Sequence, residues 1–143
     1  MIDSITDGII SKIRTKYDNS FRIYTDSVEQ GLIEPCFSIL CLDASGERVV
    51  SDRYKRSFLF SITYFPESEN EPTSECNKVC ENLLGLLTSI DTSIGTIHAS
   101  DELSGKVIDG VLQFTVSYKP FAILQNDVID TMDDLSVDTD VEI

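Results

Sequence analysis

The sequence predicts an α+β domain in which an antiparallel (mixed) sheet of about five strands is packed by two helices, in the order α-β-β-β-α-β-β. Two observations support this fold class: two segments carry apolar residues at helical spacing, and five others show the short, alternating or apolar pattern of strands. The chain shows neither an internal repeat nor a helical crossover suited to a parallel sheet. In 143 residues we therefore expect one domain, residues 1–124, followed by the acidic segment, residues 125–143.

Both helices are predicted from apolar residues that recur three or four positions apart. The first should end at Asp18-Asn19-Ser20, and the second should cover residues 73–90 after the turn-rich connection that starts at Pro66. The apolar positions are Ile2, Ile5, Ile9, Ile10, Ile13 and Tyr17 in the first helix, and Cys76, Val79, Cys80, Leu83, Leu84, Leu86, Leu87 and Ile90 in the second.

The first three strands follow from alternation and from proline positions. Phe21–Thr25 alternates as a half-buried strand, and a second strand should begin after Pro35 and run over Cys36–Leu42. Because the second strand is apolar on both faces, it suggests a central place in the sheet, with a turn at Ala44–Glu47. Arg53–Phe65 has the clearest alternation and predicts a long strand with an aromatic inner face.

The last two strands are predicted to form a hairpin. Gly95–Ile108 and Val111–Phe121 flank Asp109-Gly110, a pair that favours the positive φ angles of a two-residue turn. Ser104-Gly105 is the alternative turn position.

Charge and hydropathy exclude several classes of protein. The chain has 25 acidic and 11 basic residues, a net charge of −14, and so lacks the excess of Lys and Arg with which proteins neutralise nucleic-acid phosphates. Its apolar runs are far shorter than the roughly 20 residues of a membrane-spanning helix. The opening residues do not resemble a secretory signal, so we expect a protein of the reducing cytoplasm, without specific nucleic-acid recognition and without a membrane span.

Residues able to carry catalysis are few, and we predict a protein that is not an enzyme and holds no cofactor and no metal. His98 is the single histidine, and no motif ties it to a nucleophile or carboxylate. Cys76 and Cys80 could share a zinc ion with His98, which leaves a small zinc- or ligand-binding domain as an alternative, but both continue the apolar stripe of the second helix. Cys36 and Cys41, five apart in one strand, should face opposite sides and cannot form a disulfide.

Four of the eleven basic residues lie within nine positions: Arg48, Arg53, Lys55 and Arg56. They are either a solvated strand face or a contact surface for an acidic partner, and they are our candidate interface residues. The acidic segment is one available partner, because it carries seven acidic residues and no Lys or Arg. Its Val128, Met132 and Leu135 could form a short amphipathic helix on docking, or the segment could be flexible and unstructured.

Several short motifs, in order and spacing over residues 1–121, give the chain a family resemblance. They are the loop Val28-Glu29-Gln30-Gly31-Leu32, Pro35-Cys36-Phe37, the strand that runs from Arg53-Tyr54-Lys55-Arg56 to Tyr64-Phe65-Pro66, and Asp109-Gly110-Val111-Leu112. The chain resembles the tail terminator (tail completion) proteins of bacteriophages and prophages of Gram-positive bacteria.

The resemblance implies a structural protein of the virion or of a phage tail-like particle, assembled in the cytoplasm of the host bacterium. Such a protein forms a ring, usually a hexamer, that caps the completed tail tube, stops its growth and joins it to sheath and neck proteins. DNA would pass through the ring without being recognised, past a lumen that we expect to be acidic. Another head-tail neck or stopper protein is the nearest alternative.

Overall fold

The structure is a computed structural model that describes residues 1–25, 32–50 and 53–123. Within these ranges no helix has the length and apolar character needed to span a membrane. The elements along the chain are α1 (Ile2–Arg14), β1 (Arg22–Tyr24), β2 (Cys36–Val50), β3 (Arg53–Phe65), α2 (Pro72–Leu86), β4 (Ser89–Thr92), β5 (Gly95–Ile108), β6 (Val111–Tyr118) and β7 (Phe121–Ile123).

One mixed sheet runs through the described residues in the order β1-β2-β3-β6-β5-β4, and β7 pairs with β3. β1 pairs with β2 in parallel, and the other pairs are antiparallel. The α+β class and the two helices are confirmed, with seven strands instead of about five. The additional strands, β4 and β7, have only four and three residues, too few for alternation to be recognised.

The first helix buries the predicted face. Ile5, Ile9 and Ile13 have no exposed surface, and α1 packs against β4. Beyond the helix, the guanidinium of Arg14 donates hydrogen bonds to the carbonyl oxygens of Asp18 and Phe21, at 2.5 and 2.7 Å. These bonds hold the connection that turns the chain from α1 into β1.

The second strand differs from its prediction in two ways. Ala44–Glu47 is not a turn, because it continues β2 and pairs with β3 from Phe58 to Lys55, after an irregularity between Cys41 and Asp43. The continuous ladder with β3 outweighs the local turn preference of these residues. The central position is confirmed only for the start of β2, which lies between β1 and β3. β1 covers only Cys36–Ser38, and Leu40 and Leu42 are 39% and 56% exposed.

The second helix begins as predicted but ends at Leu86, before residue 90. Its backbone leaves the helical conformation at Leu87, where φ is −97° and ψ is 11°. Ile90 instead lies in β4, where it pairs with Ile97 and is fully buried. Since Ile90 is buried in a strand as it would have been in a helix, apolar spacing alone could not locate the boundary.

The hairpin turn at Asp109-Gly110 is confirmed, with φ angles of 53° and 73°, as a type I′ turn requires. The alternative turn is wrong: Ser104 and Gly105 lie within β5, opposite Thr115 and Phe114. A Cβ on Gly105 would stand 2.5 Å from Sγ of Cys80 in α2. This glycine therefore permits close packing of the helix on the sheet.

The core lies between the helices and one face of the sheet. The aromatic inner face of β3 is confirmed, since Phe58, Phe60, Ile62 and Tyr64 are at most 5% exposed. The inward residues of β6, Leu112, Phe114, Val116 and Tyr118, are fully buried. The Tyr118 hydroxyl donates to the carbonyl of Leu87 at 2.7 Å, so its polar group is satisfied inside the core.

Candidate assembly surface

The ends of β2 and β3 far from Pro35 and Pro66 form what we call the basic arm, residues 43–50 and 53–57. All β2 residues from Asp43 to Arg48 are exposed, although the ladder to β3 continues through them. On the far side of β3, β7 pairs with Arg53–Lys55. The arm is therefore a three-stranded extension of the sheet, and the β2 residues Asp43–Arg48 within it are exposed to solvent.

The arm also provides a strand edge. β1 pairs with β2 only as far as Ser38, and no strand in the described ranges pairs with the same side of β2 further along. The free edge presents unpaired backbone N–H and C=O groups, which natural proteins usually cover or use for association. Exposed Leu40 and Leu42 lie where this free edge begins.

The structure places the four predicted interface residues on the arm but divides them between the two faces of the sheet. Residues opposite one another in a ladder share a face. Arg48 lies opposite Tyr54, and Arg56 lies opposite Gly46, so both belong to the face that is buried further along β3. Arg53 and Lys55 belong to the other face and are exposed.

The outer face of the arm is not uniformly basic. Lys55 stands directly opposite Glu47 across the β2–β3 ladder, an arrangement in which opposite charges attract. Arg53 stands opposite Ile123 of β7, where the described chain ends. The two exposed cations therefore lie beside the point from which the acidic segment continues.

Arg56 lies in a cleft on the inner face. It is half-buried, and its backbone N–H donates to the carbonyl of Pro120 at 3.1 Å. The cleft, about 270 Å³ in volume, is otherwise lined by Met1, Ser4 and Ile5 at the start of α1, the β4–β5 turn residues 92–94, and Ile97. Among these lining residues Arg56 carries the only side-chain charge.

Two serines hold the walls of this cleft together. The hydroxyls of Ser4 and Ser93 are 2.9 Å apart, and the Ser93 N–H donates to Oγ of Ser4 at 3.0 Å. The cleft joins residues nearly ninety positions apart and depends on β4, which the sequence pattern did not predict. The β-branched residues around Ser93 do indicate a strand. The apolar spacing of the residues before them nevertheless favours a longer helix followed by a loop.

A carboxylate holds the opposite end of β3. Glu75 accepts hydrogen bonds from the Tyr64 hydroxyl at 2.6 Å and from the N–H groups of Glu67 and Ser68 at 2.9 and 3.0 Å. Burial alone would raise the pKa of Glu75, but these three bonds outweigh it and lower the pKa. The pKa of Tyr64 is raised, mainly by burial and to a smaller extent by the hydrogen bond to Glu75. The network fixes the connection between β3 and α2.

Cys76 and Cys80 take part in the packing of α2 on the core. Cys76 is fully buried in the core, and Cys80 packs against it, as the apolar stripe predicted. Burial raises the pKa of both thiols. His98 is exposed in β5, and the residues that the structure describes contain no group of three His, Cys, Asp or Glu side chains placed to hold a metal ion.

Two predicted features fall wholly or mostly outside the described residues. Of the motif loop, Val28, Glu29, Gln30 and Gly31 lie outside, and only Leu32 is described, as a half-buried residue. The acidic segment also lies outside. Their roles remain predictions.

Comparison with known proteins gives one family. The model of a family described as "Phage tail terminator protein" matches residues 4–130, nine residues further than the resemblance seen in the sequence. No curated protein matches significantly. One solved structure covers 90% of this chain and 99% of its own, at 6% identity and a TM-score of 0.44.

Proposed function

The chain belongs to the family of phage tail terminator proteins, and from this premise we propose that it forms a ring on the last ring of a completed tail tube and stops tube growth. The family comprises structural proteins of phage tail assembly, not enzymes. A protein of this kind associates with other phage tail proteins and is a component of the virion. In this proposal the ring contains six subunits.

The observation that carries this proposal is the family match over residues 4–130 of the 143. The basic arm supports it. A ring requires each subunit to present two different surfaces that fit one another head to tail, and an arm with a free strand edge can serve as one of them. In this proposal Arg48, Arg53, Lys55 and Arg56 contact a neighbouring subunit or the tube protein.

The remaining partners follow from the same role. We propose that the ring meets the tail tube protein on one side and neck proteins on the other, and a sheath protein in contractile particles. Assembly would take place in the cytoplasm of a bacterial host, with a Gram-positive host as the expectation. DNA would pass through the ring without sequence recognition, because the net charge of −14 opposes phosphate binding.

The test is electron microscopy of particles made without this protein. We expect tail tubes longer than normal that lack heads, and restoration of normal tails by the wild-type protein. Tails of normal length without heads would point to a neck or stopper role instead. Normal, complete particles would contradict any role in tail completion.

The basic arm is tested in the same complementation. Arg53→Glu with Lys55→Glu should fail to restore normal tails while remaining folded. The matched control is Lys16→Glu with Lys78→Glu, which makes the same change in net charge at exposed helical or post-helical positions. If both variants restore tails equally well, the arm is not an assembly surface.

A further inference from the structure

The cleft around Arg56 has the chemistry of a binding site for an acidic and apolar peptide. Its walls include Met1 and Ile94, which are 39% and 59% exposed, and the buried side chains of Ile5 and Ile97. Arg56 supplies a positive charge, and no ion pair joins its side chain to any other residue in the described ranges. Arginine is almost never fully buried unless it is paired, and partial burial strengthens the attraction between opposite charges, so a carboxylate is the expected occupant of this half-buried site.

The chain itself contains a segment with this composition. Residues 127–135 alternate acidic and apolar side chains, with Asp127, Asp130, Asp133 and Asp134 among Val128, Met132 and Leu135. Aspartates would pair with the guanidinium, and the apolar side chains would cover the exposed parts of Met1 and Ile94. No lysine or arginine occurs in the acidic segment to oppose this.

The path of the chain brings this segment to the cleft. β7 places Ile123 opposite Arg53, and Arg56 lies three residues further along the same strand, roughly 10 Å away. Because β7 is antiparallel to β3, the chain leaves Ile123 in the direction away from Arg56. Asp130 and Asp133 follow Ile123 by seven and ten residues and can reach up to about 23 and 33 Å. The distance is therefore within reach even when the chain has to reverse its direction.

We propose that, in the free subunit before it contacts a neighbour, residues 127–135 of the acidic segment bind in the cleft of their own chain, with an aspartate on Arg56 and adjacent apolar side chains on Met1 and Ile94. A short connection gives the segment an effective concentration in the millimolar range, so a weak site is enough. Arg53 and Lys55 lie nearer to Ile123, but they are exposed, and exposed ion pairs contribute little. Arg56, half-buried beside apolar walls, is the stronger site.

Nuclear magnetic resonance of the full-length, ¹⁵N-labelled protein tests this proposal. One variant carries Asp127→Asn, Asp130→Asn and Asp133→Asn, and its control carries Asp138→Asn, Asp140→Asn and Glu142→Gln, which remove the same amount of charge. Neither set includes a residue of the described core. We expect the amide signals of Ser4, Arg56, Ser93 and Ile94 to shift in the first variant and to stay in place in the control.

The reciprocal pair is Arg56→Gln and Lys16→Gln. Arg56→Gln should shift the amide signals of residues 127–135 to the positions that they have in high salt, and Lys16→Gln should leave them unchanged. Unchanged cleft signals in the first aspartate variant, or equal effects in a variant and its control, would overturn the proposal. So would cleft signals that change on dilution, because they would show that the segment comes from another copy of the chain.

Discussion

The two ends of the β2–β3 ladder use the same backbone pairing for opposite purposes. At the end near Pro35 and Pro66, Phe37 and Tyr64 face each other across the ladder and are buried, with their rings 4.9 Å apart. At the other end, Glu47 and Lys55 face each other and are exposed. The ladder extends through both ends, with irregularities between Cys41 and Asp43 and between Arg48 and Val50, so side-chain burial is what distinguishes the two ends.

The buried end of the ladder stabilises the fold, whereas the exposed end is available to contact a partner. Apolar burial supplies most of the folding free energy, and here it is concentrated where β1 and β6 flank the two strands and α2 packs on β3. The basic arm contributes little to that core, and its charged residues can change partners without unfolding the domain. Substitutions at the two ends should therefore differ in kind, with the largest losses of stability at the buried end.

Phe60→Ala should have the largest effect on stability. Phe60 is fully buried at the centre of β3, and removal of such a ring costs about 3–5 kcal/mol of unfolding free energy. Leu42→Ala, at a side chain that is 56% exposed, should change it by less than about 0.5 kcal/mol. Denaturant unfolding of both variants measures the contrast, and comparable losses would mean that β2 is packed more tightly at Leu42, beside the arm, than its exposure indicates.

Two glycine-to-alanine substitutions test the same difference between the packed core and the exposed arm, because each adds one methyl group to its surroundings. Gly105→Ala places a methyl group 2.5 Å from Sγ of Cys80 and 3.2 Å from the ring of Phe114, and overpacking of this kind costs about 1–3 kcal/mol. Gly46→Ala in the arm meets nothing closer than the Tyr54 ring at 4.0 Å. We expect Gly46→Ala to leave the thermal midpoint unchanged or slightly raised. A larger loss for Gly46→Ala than for Gly105→Ala would contradict the packing of α2 on β5.

Glu75→Gln should destabilise the buried end by about 1–3 kcal/mol at neutral pH, because the amide replaces a charged acceptor of three hydrogen bonds. The lowered pKa of Glu75 also gives a pH dependence. Its stabilisation is complete above the ordinary value of 4.5 and is lost as the pH falls through the lowered pKa of the folded state.

The measurement is the unfolding free energy as a function of pH. Glu75→Gln should show a smaller loss of stability in acid than the wild type. Glu69→Gln, at an exposed position in the same connection, should follow the wild-type curve. If Glu75→Gln retains the full acid dependence, that dependence arises from other carboxylates.

The charge reversal Arg53→Glu with Lys55→Glu should affect stability less than Phe60→Ala, Gly105→Ala or Glu75→Gln. The glutamate introduced at position 55 would face Glu47 across the ladder, a like-charge pair that costs roughly 0.2–1 kcal/mol. Calorimetry should therefore show a small decrease in the thermal midpoint while tail completion is lost. A cooperative transition shifted as far as that of Phe60→Ala would show instead that the arm is part of the core.

The sequence by itself determined the elements in which a periodic pattern is long: α1, β3, β6 and the turn at Asp109-Gly110. In these elements each residue's preference and its burial agree, so local pattern and final structure coincide. The family resemblance is of the same kind, because it depends on the order and spacing of short motifs. The sequence placed Arg53, Lys55 and Arg56 on the third strand but did not place Arg48 on the second, which was predicted to end at Leu42. Only the β2–β3 ladder shows how the four residues divide between the two faces of the sheet.

Only the tertiary structure decided which strands meet and where the exposed surface lies. Ala44–Glu47 resembles a turn until β3 is present to pair with it, and Ile90 suits a helix or a strand until Ile97 lies beside it. The cleft around Arg56 joins α1, β3 and the β4–β5 turn, which no local pattern can bring together. Pairings over long distances in the chain depend on the packing of the whole domain, and for that reason they cannot be determined from short windows of sequence.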